Sequence, residues 1–189
     1  MKLALCIVGC GQFARTFVQG IQPLRDEIDL FFASRDVERA RAYAAMFQGS
    51  GAFGSYEAAA ADPRVEAMYL CTPHHLHQAH VALAAQAGKH ILVEKPIART
   101  LAEGRAVIAA AQRAGVTLMV AENARFMAAV RQCKALIEQG CVGRPQSGAA
   151  ARGDTFPARP MAQPPRPERR RGVHRQRHPQ GASPAIPRR

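Results

Sequence analysis

The sequence predicts an α/β chain built on a doubly wound parallel sheet, followed by a basic tail without a fold of its own. Three observations carry this. The chain opens on a short apolar run closed by a glycine-rich turn. Apolar runs of strand length then alternate with helical periods up to about residue 139, and such alternation gives parallel strands joined by right-handed helical crossovers. From residue 151 the pattern stops, and 26 of the last 39 residues are Arg, Pro, Ala or Gly. A chain of 189 residues is long enough for one domain with a sizeable core and short for two.

The first strand is residues 3–8, an uncharged apolar run that reads as buried on both faces. Residues 13–21 continue a first helix. Residues 28–33 form the second strand and 37–47 an alanine- and arginine-rich helix. Phe53 lies in a short third strand or turn, and residues 56–61 form a short helix. Residues 67–71 are the fourth strand, ended by Thr72-Pro73. Residues 76–87 are helical and stop at Gly88, the residue type that accepts a left-handed helix end. Residues 90–93 are the fifth strand. Thr100 caps a helix reaching residue 114, with Glu103 three positions on to complete a capping box, and Gly115 ends it. Residues 116–121 form the sixth strand and 128–139 a last helix before Gly140.

Gly9-Cys10-Gly11-Gln12-Phe13-Ala14 follows the first strand directly. This is the alanine-ended G-x-G-x-x-A fingerprint of a dinucleotide site. Gly9 permits the tight turn, Gly11 lets a pyrophosphate approach the backbone, and Ala14 lets helix and strand pack closely. The helix start at Gln12 and Phe13 offers unpaired N–H groups and a positive dipole end to phosphates. At the end of the second strand, Ser34 stands where an NAD site usually carries an acid, and Arg35 follows. A guanidinium pairs bidentately with a 2′-phosphate, so NADP is favoured and NAD is the second choice. Two alternatives stay open. Asp36 is the ribose-binding acid if the strand runs further, or Ser34 merely caps the next helix while Arg35 is solvated.

The stretch from Thr72 to His80 contains His74, His75, His77 and His80. Three of them sit at a strand-to-helix junction rather than at helical i, i+4 spacing, with no cysteine or carboxylate cluster beside them, so a metal site is not expected. The loop lies instead at the carboxyl end of a central strand, where doubly wound sheets bind ligands. Glu94-Lys95-Pro96 ends the next strand. Lys95 there stands at the sheet's carboxyl edge, able to orient a substrate hydroxyl or share its proton; the alternative is a surface lysine paired with Glu94.

The net charge of +12 invites a nucleic-acid reading, but its location argues against one. Residues 151–189 carry ten arginines against two acids, so the tail holds +8 of the total. Having few large apolar groups, the tail is expected to be disordered. Its four dominant residues have GC-rich codons, which points to a gene read out of frame after about residues 144–152. The rival is an arginine-rich arm for RNA or DNA, but Phe156 is its one aromatic and it has no repeated RGG or RS unit. Five cysteines without a C-x-x-C pair, no signal peptide and no membrane-length apolar run lead to a cytoplasmic expectation.

Taken in order, Gly9/Gly11/Ala14, Thr72-Pro73 with His77, Glu94-Lys95-Pro96 and Glu122-Asn123-x-Arg125-Phe126 resemble the glucose–fructose oxidoreductase/inositol dehydrogenase (Gfo/Idh/MocA) family. The segment from Lys134 to Pro145 is similar to that family's first stretch beyond the cofactor domain. The likeness covers about residues 1–148, with one minor departure, His74 where asparagine is frequent. It implies a Rossmann domain over 1–122, the start of a substrate domain over 123–148, and residues 149–189 in place of the rest of that domain. It implies Lys95 as the catalytic group. It implies a cofactor shell of Gly9, Gly11, Gln12, Phe13, Ala14, Ser34, Arg35, Thr72, Pro73, His77, Glu94, Lys95 and Asn123. The reaction implied is hydride transfer between nicotinamide and a sugar, polyol or related alcohol or ketone. The family's second-domain aspartate and histidine have no counterparts, and His174 and His178 in the tail are no substitutes. The expectation is therefore a truncated, poorly active chain, without the sheet through which the family usually forms homo-oligomers. The alternatives are a non-catalytic dinucleotide-binding module and, third, a nucleic-acid binder.

Overall fold

In the computed structural model, residues 2–143 are described. The expectations for residues 149–189, disorder and any nucleic-acid role, lie outside them.

The six strands are β1 (Leu3–Val8), β2 (Ile28–Ala33), β3 (Gly51–Phe53), β4 (Ala67–Leu70), β5 (His90–Val93) and β6 (Leu118–Val120). They form one sheet in the order β3-β2-β1-β4-β5-β6, and every neighbouring pair is parallel. The helices between them are α1 (Gln12–Gly20), α2 (Val37–Phe47), α3 (Tyr56–Ala61), α4 (His77–Gln86), α5 (Leu101–Ala114) and α6 (Ala128–Glu138). The doubly wound parallel fold is therefore present. The order reverses between β1 and β4, so a crevice opens there at the strands' carboxyl ends.

Side-chain alternation divides the core in two. Leu5, Ile7, Leu30, Phe32 and Tyr69 point to the face covered by Ala14 and Val18 of α1 and Ala40 of α2. Cys6, Val8, Phe31, Met68 and Leu70 point to the other, covered by Ala59 and Ala60 of α3, Val81, Ala84 and Ala85 of α4 and Val107 of α5. Both faces are covered, which is why the central strands read as continuous apolar runs.

Most differences from the sequence reading lie at element ends. Helix α1 begins at Gln12, with Gly11 as its N-cap, and ends at Gly20, one residue short of the expected 21. Strand β4 ends at Leu70, where the chain turns to bring Cys71 against β1. Its loop passes through a 3₁₀ turn, His74–Leu76, before α4 starts at His77. Strand β6 keeps only three residues, as an edge strand has a single neighbour to pair with. Thr100 caps α5 by accepting from the Glu103 N–H at 3.1 Å. The Glu103 carboxylate takes the Arg99 N–H at 3.0 Å and the Arg99 guanidinium at 2.5 Å, so the reciprocal half of the motif reaches one residue further back than expected. That Arg99 pairing holds Glu103 below the usual carboxylate range. Helix α6 buries none of its residues among the described ones, leaving Val130, Leu136 and Ile137 exposed.

Candidate cofactor and active site

The site begins with the turn after β1. Gly9 has φ +100°, and a Cβ there would sit 3.1 Å from Thr72 Cγ2 and 3.2 Å from the Cys71 carbonyl oxygen. Conformation and close approach both require glycine. Cys71 donates from Sγ toward the Gly9 carbonyl at 3.0 Å, so the end of β4 braces the turn. Burial pushes the Cys71 thiol up to about 12 and Cys10 up to about 11, which keeps both in the thiol form. Gly11 is different. A Cβ on it would meet nothing within 4 Å, so no protein atom fills that space. Tyr43 of α2 donates its hydroxyl to the Gly11 carbonyl at 3.1 Å and holds the loop from behind.

Helix α1 has no side-chain cap and no acid in its first turn. Its first N–H groups therefore remain available to an anion. Gln12 and Phe13 are exposed at this end, while Ala14 is fully buried against the sheet. An open space at Gly11 before an uncapped helix start fits a pyrophosphate.

At the end of β2, Ser34 is buried, donates its N–H to the Phe53 carbonyl at 3.1 Å and accepts the Asp36 N–H on Oγ at 3.2 Å. Asp36 is the N-cap of α2, taking the Glu38 and Arg39 N–H groups at 3.0 and 3.3 Å. The cap is thus Asp36 rather than Ser34, and the strand stops at Ala33, before either residue. Arg35 is exposed. Its guanidinium stands beside the Tyr56 phenol, whose proton affinity is raised chiefly by burial and lowered in part by Arg35.

The loops after β4 and β5 face each other. Thr72 is buried and its hydroxyl meets His80 Nδ1 at 2.9 Å. Pro73 and His74 are exposed. His77 is wholly buried, with Nε2 3.0 Å from the Thr72 carbonyl and Nδ1 2.9 Å from the Pro96 carbonyl. It ties the two loops together from the interior. Burial among α4 and its neighbours, and then His77 itself, lowers the proton affinity of His80. Among the described residues, no group of three or more His, Cys, Asp or Glu side chains converges to hold a metal ion.

Between these loops and α1 lies a cavity of about 540 Å³ lined by Phe13, Cys71, Thr72, His74, Glu94, Lys95, Pro96 and Glu122. Lys95 projects over the Phe13 ring, with Nζ 5.7 Å from its centroid. Glu94 accepts the Tyr69 hydroxyl on Oε1 at 2.5 Å and the Lys95 N–H on Oε2 at 3.1 Å. Glu122 caps the 3₁₀ turn Asn123–Phe126 by accepting the Ala124 N–H at 3.1 Å, and Asn123 is exposed at its start. Reading the sequence as strands and motifs passed over Tyr43, Tyr56, Tyr69 and Cys71. For Tyr69 a signal existed: a tyrosine inside a fully apolar strand needs a partner for its hydroxyl. Tyr43 meets Gly11 only through tertiary packing.

Residues 3–122 match the family described as an oxidoreductase family with an NAD-binding Rossmann fold. The chain is 37% identical over 145 residues to trans-1,2-dihydrobenzene-1,2-diol dehydrogenase of Mus musculus, covering 76% of this chain and 44% of that protein. It is 36% identical over 140 residues to 1,5-anhydro-D-fructose reductase of Ensifer adhaerens, covering 74% and 42%. The structure of the WlbA dehydrogenase from Bordetella pertussis in complex with NADH and UDP-GlcNAcA superposes with a TM-score of 0.70 at 31% identity, covering 76% and 41%. The chain spans less than half the length of each of these relatives.

Proposed function

The chain belongs to the oxidoreductase family with an NAD-binding Rossmann fold, and on that premise we propose that it binds NADP, with NAD as the second choice, for hydride transfer with a small sugar, polyol or related alcohol or ketone. One observation carries the reading. The glycine turn and uncapped helix start open on the same edge of the sheet as a 540 Å³ cavity with Lys95 in its wall. In this reading residues 1–122 are the cofactor domain and 123–148 lead into the substrate domain. The relatives' names support the substrate class, since they include a diol dehydrogenase and an anhydrofructose reductase. Five free cysteines suit a reducing compartment, so we place the protein in the cytoplasm.

Each residue has a part in this mechanism. Gly9 and Gly11 shape the turn, and the first N–H groups of α1 hold the pyrophosphate. Arg35, with Ser34 shaping the loop beneath it, meets the adenosine ribose and its 2′-phosphate. Thr72 and Pro73 form the neighbouring edge, while Phe13, Glu94 and Asn123 border the nicotinamide end. When bound, the cofactor supplies the hydride acceptor or donor. Lys95 orients the substrate hydroxyl and shares its proton.

Fluorescence titration with NADPH and NADH tests the reading. NADPH should bind the wild-type chain more tightly. Arg35→Ala should weaken NADPH by ~1.5–3 kcal/mol through loss of a charged hydrogen bond, and NADH far less. Equal weakening of both would remove Arg35 from phosphate recognition, and no binding of either would remove the cofactor assignment.

A further inference from the structure

Lys95 and Glu94 are sequence neighbours in one cavity wall, yet no ion pair joins them among the described residues. The Glu94 carboxylate is occupied elsewhere. Its Oε1 takes the Tyr69 hydroxyl at 2.5 Å, and its Oε2 takes the Lys95 main-chain N–H at 3.1 Å. Tyr69 can hold that oxygen firmly because its own place is over-determined. It lies 1% exposed in β4, and its ring stacks on Phe17 of α1 with centroids 4.0 Å apart. Burial first, and the Glu94 bond second, push the phenol far above its ordinary value, so it remains a donor across the working pH range. The Lys95 ammonium is left above the Phe13 ring.

We propose that Tyr69 is a positioning residue: it tethers Glu94 so that the carboxylate cannot close on the Lys95 ammonium, which stays free for a substrate hydroxyl. The role given to Lys95 rests on the function proposed above, but the tether is a property of this chain alone. Without the phenol, the freed Glu94 oxygen has the Lys95 ammonium beside it to turn to, since Arg99, the other cation of that loop, is already paired with Glu103 at 2.5 Å. A lysine paired to a carboxylate holds its proton more tightly and spends less time as the reactive free amine.

The test is reductive methylation of the full 189-residue chain with formaldehyde and a borohydride, without cofactor or substrate. The rate at Lys95 is followed by mass spectrometry, with Lys89 and Lys134 as internal references. Tyr69→Phe keeps the stacked ring and removes the hydroxyl. It should slow Lys95 about two- to fivefold, the equivalent of the ~0.5–1 kcal/mol of an accessible ion pair, and leave the reference lysines unchanged. Glu94→Gln should leave Lys95 at the wild-type rate, and Tyr69→Phe added to it should change nothing further. Three results overturn the proposal. The first is an unchanged Lys95 rate in Tyr69→Phe, and the second is one equally slow in the double variant. The third, which stands even if Tyr69→Phe does not fold, is faster methylation in Glu94→Gln, because that would mean Glu94 already pairs with Lys95. Failure of NADPH to bind would leave these rates as they are, so it counts against the cofactor reading alone.

Discussion

Gly9 and Gly11 stand two residues apart and are glycines for different reasons. At Gly9 the backbone itself demands glycine, with φ +100° and the β4 end 3.1–3.2 Å from a would-be Cβ. Gly9→Ala should therefore lower stability by about 1–3 kcal/mol, from strain at positive φ and crowding against Thr72. At Gly11 the backbone is extended, with φ −114° and ψ −175°, and the space is open. Gly11→Val should leave thermal stability close to wild type and abolish NADPH binding, because its branched side chain fills the room kept for the pyrophosphate. Thermal denaturation and cofactor titration on both variants check the contrast. Lost stability in Gly11→Val, or retained binding, would show that its open space serves no ligand.

At the scale of the element, helix ends and strand-end loops do the positioning. Thr100 supplies the one side-chain hydroxyl cap of α5, so Thr100→Ala should cost about 1 kcal/mol in chemical denaturation. Helix α4 carries His80, held against Thr72 and half-buried. Its folded-state proton affinity lies below the ordinary 6.5, first because burial penalises the charged form. As pH falls through 6.5, the unfolded chain takes up the proton before the folded one does. The stability His80 contributes is thus complete above 6.5 and is lost on the acid side, down to its lowered folded value. The melting temperature of the wild-type chain should fall between pH 7.5 and 5.5, and that of His80→Gln should fall less. Parallel curves would assign the acid loss to other groups.

For the whole molecule, the described residues supply one wall of the proposed reaction site, and the comparisons span less than half of each relative. Assayed as these 189 residues, the chain should bind the dinucleotide and turn over polyols or sugars several orders of magnitude more slowly than the relatives of which it spans less than half. Positioning can supply roughly 7 kcal/mol or more of a barrier, and Lys95 alone does not enclose a substrate. NADP⁺ reduction with a panel of inositols, hexoses and diols measures this. Rapid turnover, lost on Lys95→Ala, would mean that the site is complete in these residues.

The sequence by itself determined what local chemistry dictates. Apolar runs mark β1, β2, β4, β5 and β6 because a sheet covered on both faces tolerates no polar alternation, whereas at β3 Phe53 alone points to a strand or a turn. The Gly9-to-Ala14 spacing marked the tight turn from β1 into α1 because Gly9 must take positive φ and Ala14 must pack closely. Lys95 stood out because a charge directly follows a buried strand. Contacts between segments far apart in the chain were decided only by the tertiary structure. Tyr69 and Glu94 are 25 residues apart and meet because β4 and β5 run side by side in register. His77 shares the motif of Thr72, and the 3₁₀ turn before α4 brings it inward, within hydrogen-bond reach of the Thr72 and Pro96 carbonyls. Asp36 became the cap of α2 because β2 ended at Ala33, where its pairing with β3 ran out. Residue type and spacing specify which groups a site needs, but the packing of strands and helices sets which groups come within 3 Å of each other.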